Sequence, residues 1–230
     1  MQGERVTCAA CGGTGKETSR GGVVHECGHC DGWGYTVQPC PLPEGAPKVI
    51  GLCGLAGSGK TQAALILAER GYQRLRFADT LKRMLRVLLY AAGEDSQSAA
   101  RYIDGDQKEQ LHHAFGGHSS RYAMQTLGTE WGRKLIGADL WVDITSAQID
   151  RAMEKGQRVV LDDLRFQNEA DVIRSFDGGS VWQVKGRAAE ISADGEFHVS
   201  ESLAVQPDLV IDNSGDLERL EAAVLALLLG

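Results

Sequence analysis

Val49-Ile50-Gly51-Leu52-Cys53-Gly54-Leu55-Ala56-Gly57-Ser58-Gly59-Lys60-Thr61 begins as an apolar run of strand length and ends in Gly54-x4-Gly59-Lys60-Thr61, the full P-loop pattern. Gln62 to Arg70 follow as an apolar-rich helix, so strand, glycine turn and helix stand in the order the motif requires. The physical logic is local. Glycines let backbone N–H groups curl round a phosphate without Cβ clashes, and the helix N-terminus adds a favourable dipole. The stretch Gly54, Leu55, Ala56, Gly57, Ser58, Gly59, Lys60 and Thr61 is therefore expected to bind a nucleoside triphosphate. Lys60 would reach the β/γ-phosphates and the Thr61 hydroxyl would ligand Mg²⁺.

Downstream, apolar runs alternate with helical patterns, which predicts a parallel sheet in a three-layer α/β body. Leu75–Ala78 reads as a short strand, and Asp79 and Thr80 as caps of a helix over Leu81–Ala92. Ligands gather at the ends of parallel strands, so Asp79 is equally a candidate substrate contact. Residues 93–119 are polar and glycine-dotted, with His112, His113 and His118, and read as a mobile insert that could neutralise nucleotide charge. Arg121 and Gln125 are four apart and share one helical face. A guanidinium there suits a phosphate and an amide suits a base edge. A further helix runs from about Leu140 to Lys155. Arg158–Leu161 has a buried-strand pattern ending in Asp162 and Asp163, the acidic arm that orders Mg²⁺ in P-loop enzymes. A helix over Ala170–Phe176, strands at 181–184 and 209–212, and a C-terminal helix striped by Leu217, Leu220, Val224 and Leu228 complete the pattern. Lys185 and Arg187, past a strand end, are lid candidates.

Upstream, Cys8-x2-Cys11-x-Gly-x-Gly recurs as Cys27-x2-Cys30-x-Gly-x-Gly. The combined spacing, C-x2-C-x15-C-x2-C, fits four thiolates closing one tetrahedral Zn²⁺ site with no open position, hence a structural ion. Residues 1–40 carry three basic against four acidic residues, which is not the footprint of a phosphate-backbone binder. Four prolines in 38–47 make a semi-rigid linker. The expected domains are thus a knuckle module at 1–38, the linker at 39–47 and the main body at 48–230.

The chain has 230 residues and a formal charge of −7, so any binding to nucleic acid or anionic membrane must be local. The N-terminus Met1-Gln2-Gly3-Glu4-Arg5 lacks an apolar run and no stretch approaches a membrane span, which predicts a cytoplasmic protein without membrane contact.

The cysteine repeats resemble the DnaJ-type zinc finger, which implies a zinc knuckle pair and little about chaperone activity; appended to a nucleotide-binding body, such a finger is a candidate adaptor for a DNA or protein partner. Residues 48–230 resemble the phage-type deoxynucleoside monophosphate kinases. Four ordered blocks carry the resemblance: the P-loop, Arg121 to Glu130, Asp163-Leu-Arg165-Phe-x-Asn-Glu169, and His198-Val-Ser-Glu201 before Asp208 to Asn213. The resemblance implies a P-loop nucleotide kinase fold and ATP- and Mg²⁺-dependent phosphorylation of deoxynucleoside 5′-monophosphates in a bacterial host cytoplasm. It makes Arg121, Gln125, Thr129, Trp141, Asp163, Arg165 and Glu169 substrate- or metal-contacting positions, with Lys60, Arg121, Asp163 and Arg165 as the catalytic set. It also favours Asp163 over Asp162 as the magnesium acid. A P-loop kinase acting on a hydroxymethylated base within DNA, with the knuckles as adaptor, is the competing reading. The sequence sets no oligomeric state, and a homodimer is among the forms it allows.

Overall fold

The computed structural model describes residues 42–186 and 205–229, together with the backbone of four short N-terminal strands. Those strands are β1 (Glu4–Thr7), β2 (Lys16–Thr18), β3 (Val24–Glu26) and β4 (Tyr35–Gln38). They form two antiparallel ladders, with Thr7 opposite Tyr35 and Lys16 opposite Glu26. Cys8, Cys11, Cys27 and Cys30 themselves lie outside the described residues, as do Arg187, His198 and Glu201.

The body is built on five strands, β5 (Val49–Cys53), β6 (Tyr72–Leu75), β9 (Arg158–Leu161), β10 (Gly179–Gly186) and β11 (Leu209–Asn213). All neighbouring pairs are parallel, in the order β11-β10-β5-β9-β6. The chain leaves β5 towards one edge and later returns to fill the other, so the sheet reverses direction at β5. In open parallel sheets the crevice beyond the strand ends at such a reversal is where ligands bind.

Side chains alternate across each strand, and each face buries its own layer. On one face Ile50, Leu52, Val160 and Trp182 pack against α1 (Lys60–Glu69) and α7 (Leu217–Leu229). On the other, Val49, Val159, Leu161 and Val181 pack against α5 (Leu140–Glu154) and α6 (Gln167–Ser175). The expected three-layer parallel α/β body is present. The end of the linker is pinned to it: Tyr72 Oη and Arg158 Nη1 donate to Pro47 O at 2.6 and 3.0 Å.

Three local expectations are corrected. The strand expected at 75–78 lies earlier, at Tyr72–Leu75, and Phe77–Ala78 already open α2 (Ala78–Ala91). Asp79 and Thr80 do not cap that helix; a carboxylate arriving from β9 does, as described below. Residues 93–119 fold onto α2 as α3 (Ser96–Ile103) and a small β7/β8 hairpin (Leu111–His112 with His118–Ser119). Asp95 caps α3 by accepting from Ser98 N at 2.7 Å, and Ala99 and Ile103 bury against Leu85 and Leu89. The apolar residues are sparse but fall at i and i+4, which suffices for one face of a two-turn helix. His112 belongs to this packing, buried against Tyr102 and accepting from Ala114 N at 3.1 Å.

After this insert, α4 (Ser120–Gln125) runs straight into a π-helical stretch, Thr126–Ile136. Gly132 is buried there under Trp141, with space for no Cβ: one would stand 2.6 Å from the indole. Among the described residues, no helix is long and apolar enough to cross a membrane.

Candidate active site

The P-loop occupies the C-terminal end of β5, at the reversal point. Gly54, Gly57 and Gly59 all have positive φ (145°, 74° and 102°), the conformation that L side chains rarely adopt and that bends the loop back on itself. Lys60 Nζ donates to Gly54 O and Leu55 O at 2.8 and 2.7 Å, so the ammonium lies across the loop it serves. Asn213, at the end of β11, donates from Nδ2 to Ser58 O at 2.9 Å and braces the loop from beneath. Ser58 is buried and its hydroxyl has no hydrogen-bond partner. Asn213 had no role in the sequence reading, although it closes a motif block.

Thr61, on the first turn of α1, donates from Oγ1 to Asp162 Oδ2 at 3.3 Å. Asp162 also pairs with the Arg74 guanidinium and, at 3.2 Å, with Arg76 Nε. Its neighbour points elsewhere. Asp163 accepts from Phe77 N and Ala78 N, both at 3.0 Å, and so caps α2 from a distance. The structure thus puts Asp162, not Asp163, beside Thr61, against the expectation from the sequence. The reason is strand alternation: Asp162 continues the side of Val160, which faces α1, whereas Asp163 continues the side of Val159 and Leu161. Part of Asp163 remains accessible, but its carboxyl is ringed by protein. Burial pushes its pKa up to about 6, the two backbone donors oppose the rise, and the negative Glu169 and Asp162 add to it.

Hard oxygen donors suit Mg²⁺, and the Thr61 hydroxyl beside the Asp162 carboxylate is such a pair. Asp162 Oδ1, buried and without a hydrogen bond, supplies spare acceptor capacity at the same place. The residues present fit the ion.

Next to Thr61 opens a pocket of about 500 Å³. Arg74 and Arg76 supply one wall from the end of β6, and Lys82 and Arg86 another from α2. Lys108, from the folded insert, closes the ring. The two lining acids are Asp79 and Asp104. Asp104 pairs with Lys82 at 2.7 Å and with Arg86; burial acts to raise its pKa, but those cations hold it below the ordinary carboxylate value. Five cations against two acids make a cavity for an anion. Of the substrate positions expected from the sequence, Asp79 lines this pocket, and the five cations were all missed.

The other expected contacts lie apart from the lining. Trp141 is buried, donating from Nε1 to Gly128 O at 2.9 Å. Glu169 is buried, accepts from Arg165 N and Phe166 N at 2.7 and 3.1 Å, and pairs with Arg133 at 2.7 Å. It caps α6, and its burial raises its pKa against those partners. Arg165, Gln125 and Thr129 are exposed. Arg121 is exposed and paired with Glu109, while its backbone N–H donates to Lys108 O at 3.1 Å, at the pocket's outer edge. Lys185 is exposed near the end of β10.

The family model for deoxynucleotide monophosphate kinase matches residues 94–224. The chain belongs to the deoxynucleotide monophosphate kinase family. That span begins after the P-loop, so the match and the phosphate-binding motif are independent observations. The chain is 30% identical over 191 residues to a putative deoxynucleotide monophosphate kinase of Acanthamoeba polyphaga mimivirus, covering 77% of this chain and 94% of that protein. Among solved structures, TT1252 from Thermus thermophilus aligns at a TM-score of 0.45 and 20% identity, over 80% of this chain and 97% of that one. A sugar kinase from Janibacter sp. HTCC2649 aligns at 0.42 and 18%, over 79% and 94%. Family membership makes this protein a nucleotide kinase, an ATP-using phosphotransferase.

Proposed function

We propose that the protein transfers the γ-phosphoryl group of ATP to the 5′-phosphate of a deoxynucleoside monophosphate, giving the diphosphate. The observation that carries this reading is the basic pocket opening directly beside Thr61. The acceptor phosphate is already an adequate nucleophile, so the protein's contribution is positioning and charge neutralisation. The P-loop N–H groups and Lys60 hold the donor phosphates, with Asn213 fixing the loop. Thr61 and Asp162 would hold Mg²⁺, which when bound would neutralise charge on the transferring group. Arg74, Arg76, Lys82, Arg86 and Lys108 receive the acceptor phosphate, and Asp79 stands where a sugar or base hydrogen bond would fall. Arg121, tied through its backbone to Lys108, and Arg165, exposed past the end of β9, are further cations assigned to the acceptor.

The test is a panel of deoxynucleoside monophosphates with labelled ATP and Mg²⁺. Label in a deoxynucleoside diphosphate is expected. Label released only to water, or incorporated only into hydroxymethyluracil-containing DNA, overturns the assignment.

The cysteine spacing supports one structural Zn²⁺ at Cys8, Cys11, Cys27 and Cys30 in the 1–38 module, and we assign that module the role of adaptor for a DNA or protein partner. Native mass spectrometry should find one zinc per chain, lost when Cys27 and Cys30 are replaced by Ser. An unchanged metal content would remove the module's staple from the account.

A further inference from the structure

We propose that Asp162 couples the two halves of the site. Paired with Arg74 and Arg76, it withholds those guanidiniums from an acceptor phosphate, and loading of the Mg²⁺-bound donor at Thr61 releases them. This rests on the basic pocket being the acceptor site.

Asp162 is the one carboxylate, among the described residues, that touches both halves. Its side chain is 4% exposed, and it meets Thr61 Oγ1 on the donor side and both arginines on the acceptor side. These demands compete. A divalent cation beside Thr61 requires an oxygen ligand, and Asp162 Oδ2 already sits against that hydroxyl and against Arg74. The carboxylate cannot bind a cation fully and hold two guanidiniums fully at once.

The cluster is also under-satisfied as it stands. Arg74 Nε and Asp162 Oδ1 are buried without a hydrogen-bond partner, and the contact of Arg76 Nε with Oδ1 is an ion pair without hydrogen-bond geometry. Buried polar atoms left unpaired carry a real penalty, so the arrangement favours a further ligand. A phosphate offers more acceptor oxygens and more charge than one carboxylate, and guanidiniums bind it in a fork.

The other wall supplies an internal contrast. Asp104 holds Lys82 and Arg86 in the same fashion, but it has no contact with the P-loop or Thr61 among the hydrogen bonds and ion pairs described. Charge release at Asp104 should therefore be insensitive to the donor. Coupling of binding free energies is reciprocal, so the donor analogue should also bind more tightly in the presence of acceptor.

The experiment is calorimetric titration of the full chain with thymidine and deoxyguanosine 5′-monophosphates, with and without Mg²⁺ and the non-hydrolysable β,γ-imido analogue of ATP, so that no turnover occurs. In the wild type, the saturating analogue should tighten acceptor binding about fivefold or more. Asp162→Asn should bind acceptor about fivefold tighter than wild type with no donor present, and the analogue should then add less than about twofold. Asp104→Asn should keep the donor response. Arg86→Ala separates the two readings. If it weakens acceptor binding while Asp162→Asn behaves as wild type, the coupling is wrong and the acceptor site stands. If acceptor affinity ignores Arg86→Ala, the acceptor site falls and the coupling with it. Should Asp162→Asn fail to fold, the wild-type titration decides alone: acceptor affinity indifferent to bound analogue overturns the proposal.

Discussion

The phosphate-binding loop and the basic pocket meet at Thr61, yet they handle anions by opposite means. The loop is contiguous. It binds with backbone N–H groups and a helix terminus, and its geometry is held by positive-φ glycines and one brace from Asn213. The pocket is assembled from β6, α2 and the folded insert, and four of its cations, Arg74, Arg76, Lys82 and Arg86, are already paired with Asp162 or Asp104. A backbone cradle is fixed once the chain folds. A cage of ion-paired side chains can be redistributed, so the loop is set by local conformation and the pocket by competition among charges.

Lys60→Ala probes the loop side and should have the largest effect, a fall in kcat on the order of 10²–10³ with an unchanged melting temperature. A folded variant with near-normal turnover would end the assignment of the loop as donor site. Arg86→Ala probes the pocket and should raise the KM for the acceptor roughly tenfold, as expected for one charge-assisted contact, while the KM for ATP stays put. Equal losses on both substrates would erase the division between the two halves. Arg121→Ala should raise acceptor KM by less than Arg86→Ala does, since its side chain is exposed and paired with Glu109. A larger effect would move the acceptor towards α4.

Asp163 joins the two regions mechanically, because it clamps the start of α2 to the end of β9. Its pKa of about 6 in the folded chain exceeds the unfolded value near 3.9, so the folded state binds the proton more readily between those limits. This group's contribution is fully present below the unfolded pKa and is lost as pH rises through about 6. Urea melts should therefore show the stability advantage of wild type over Asp163→Asn shrinking from pH 4 to pH 7. An advantage that grows with pH would mean the carboxylate is stabilised as an anion by its two backbone donors, and that the cap outweighs burial. As a change of degree in stability, this is the smallest effect of the four.

Legibility in the sequence followed the same division. The P-loop was readable because all its chemistry is consecutive, and the order of strands and helices followed from apolar periodicity. The pocket was not readable because its cations are scattered. Arg74 and Arg76 alternate along a strand end, and Asp79, Lys82 and Arg86 share a helical face at i, i+3 and i+7. Neither signal says that the two faces confront each other. What surrounds Trp141 and Glu169 was not readable either, because burial is tertiary: one fills the space over Gly132, the other caps α6. The polar insert hid a small core, since Ala99 and Ile103 gain their meaning only from Leu85 and Leu89 on α2.

The sequence by itself determined the parallel α/β body, the donor loop and the presence of an acidic pair at the end of a buried strand, all properties of short range and fixed period. Only the tertiary structure decided which acid of that pair faces Thr61, which cations surround the basic pocket, and what holds them. Strand alternation makes Asp162 and Asp163 opposites, but the side on which α1 packs is set by the whole sheet. Ion pairs between distant segments exist only once that sheet has closed.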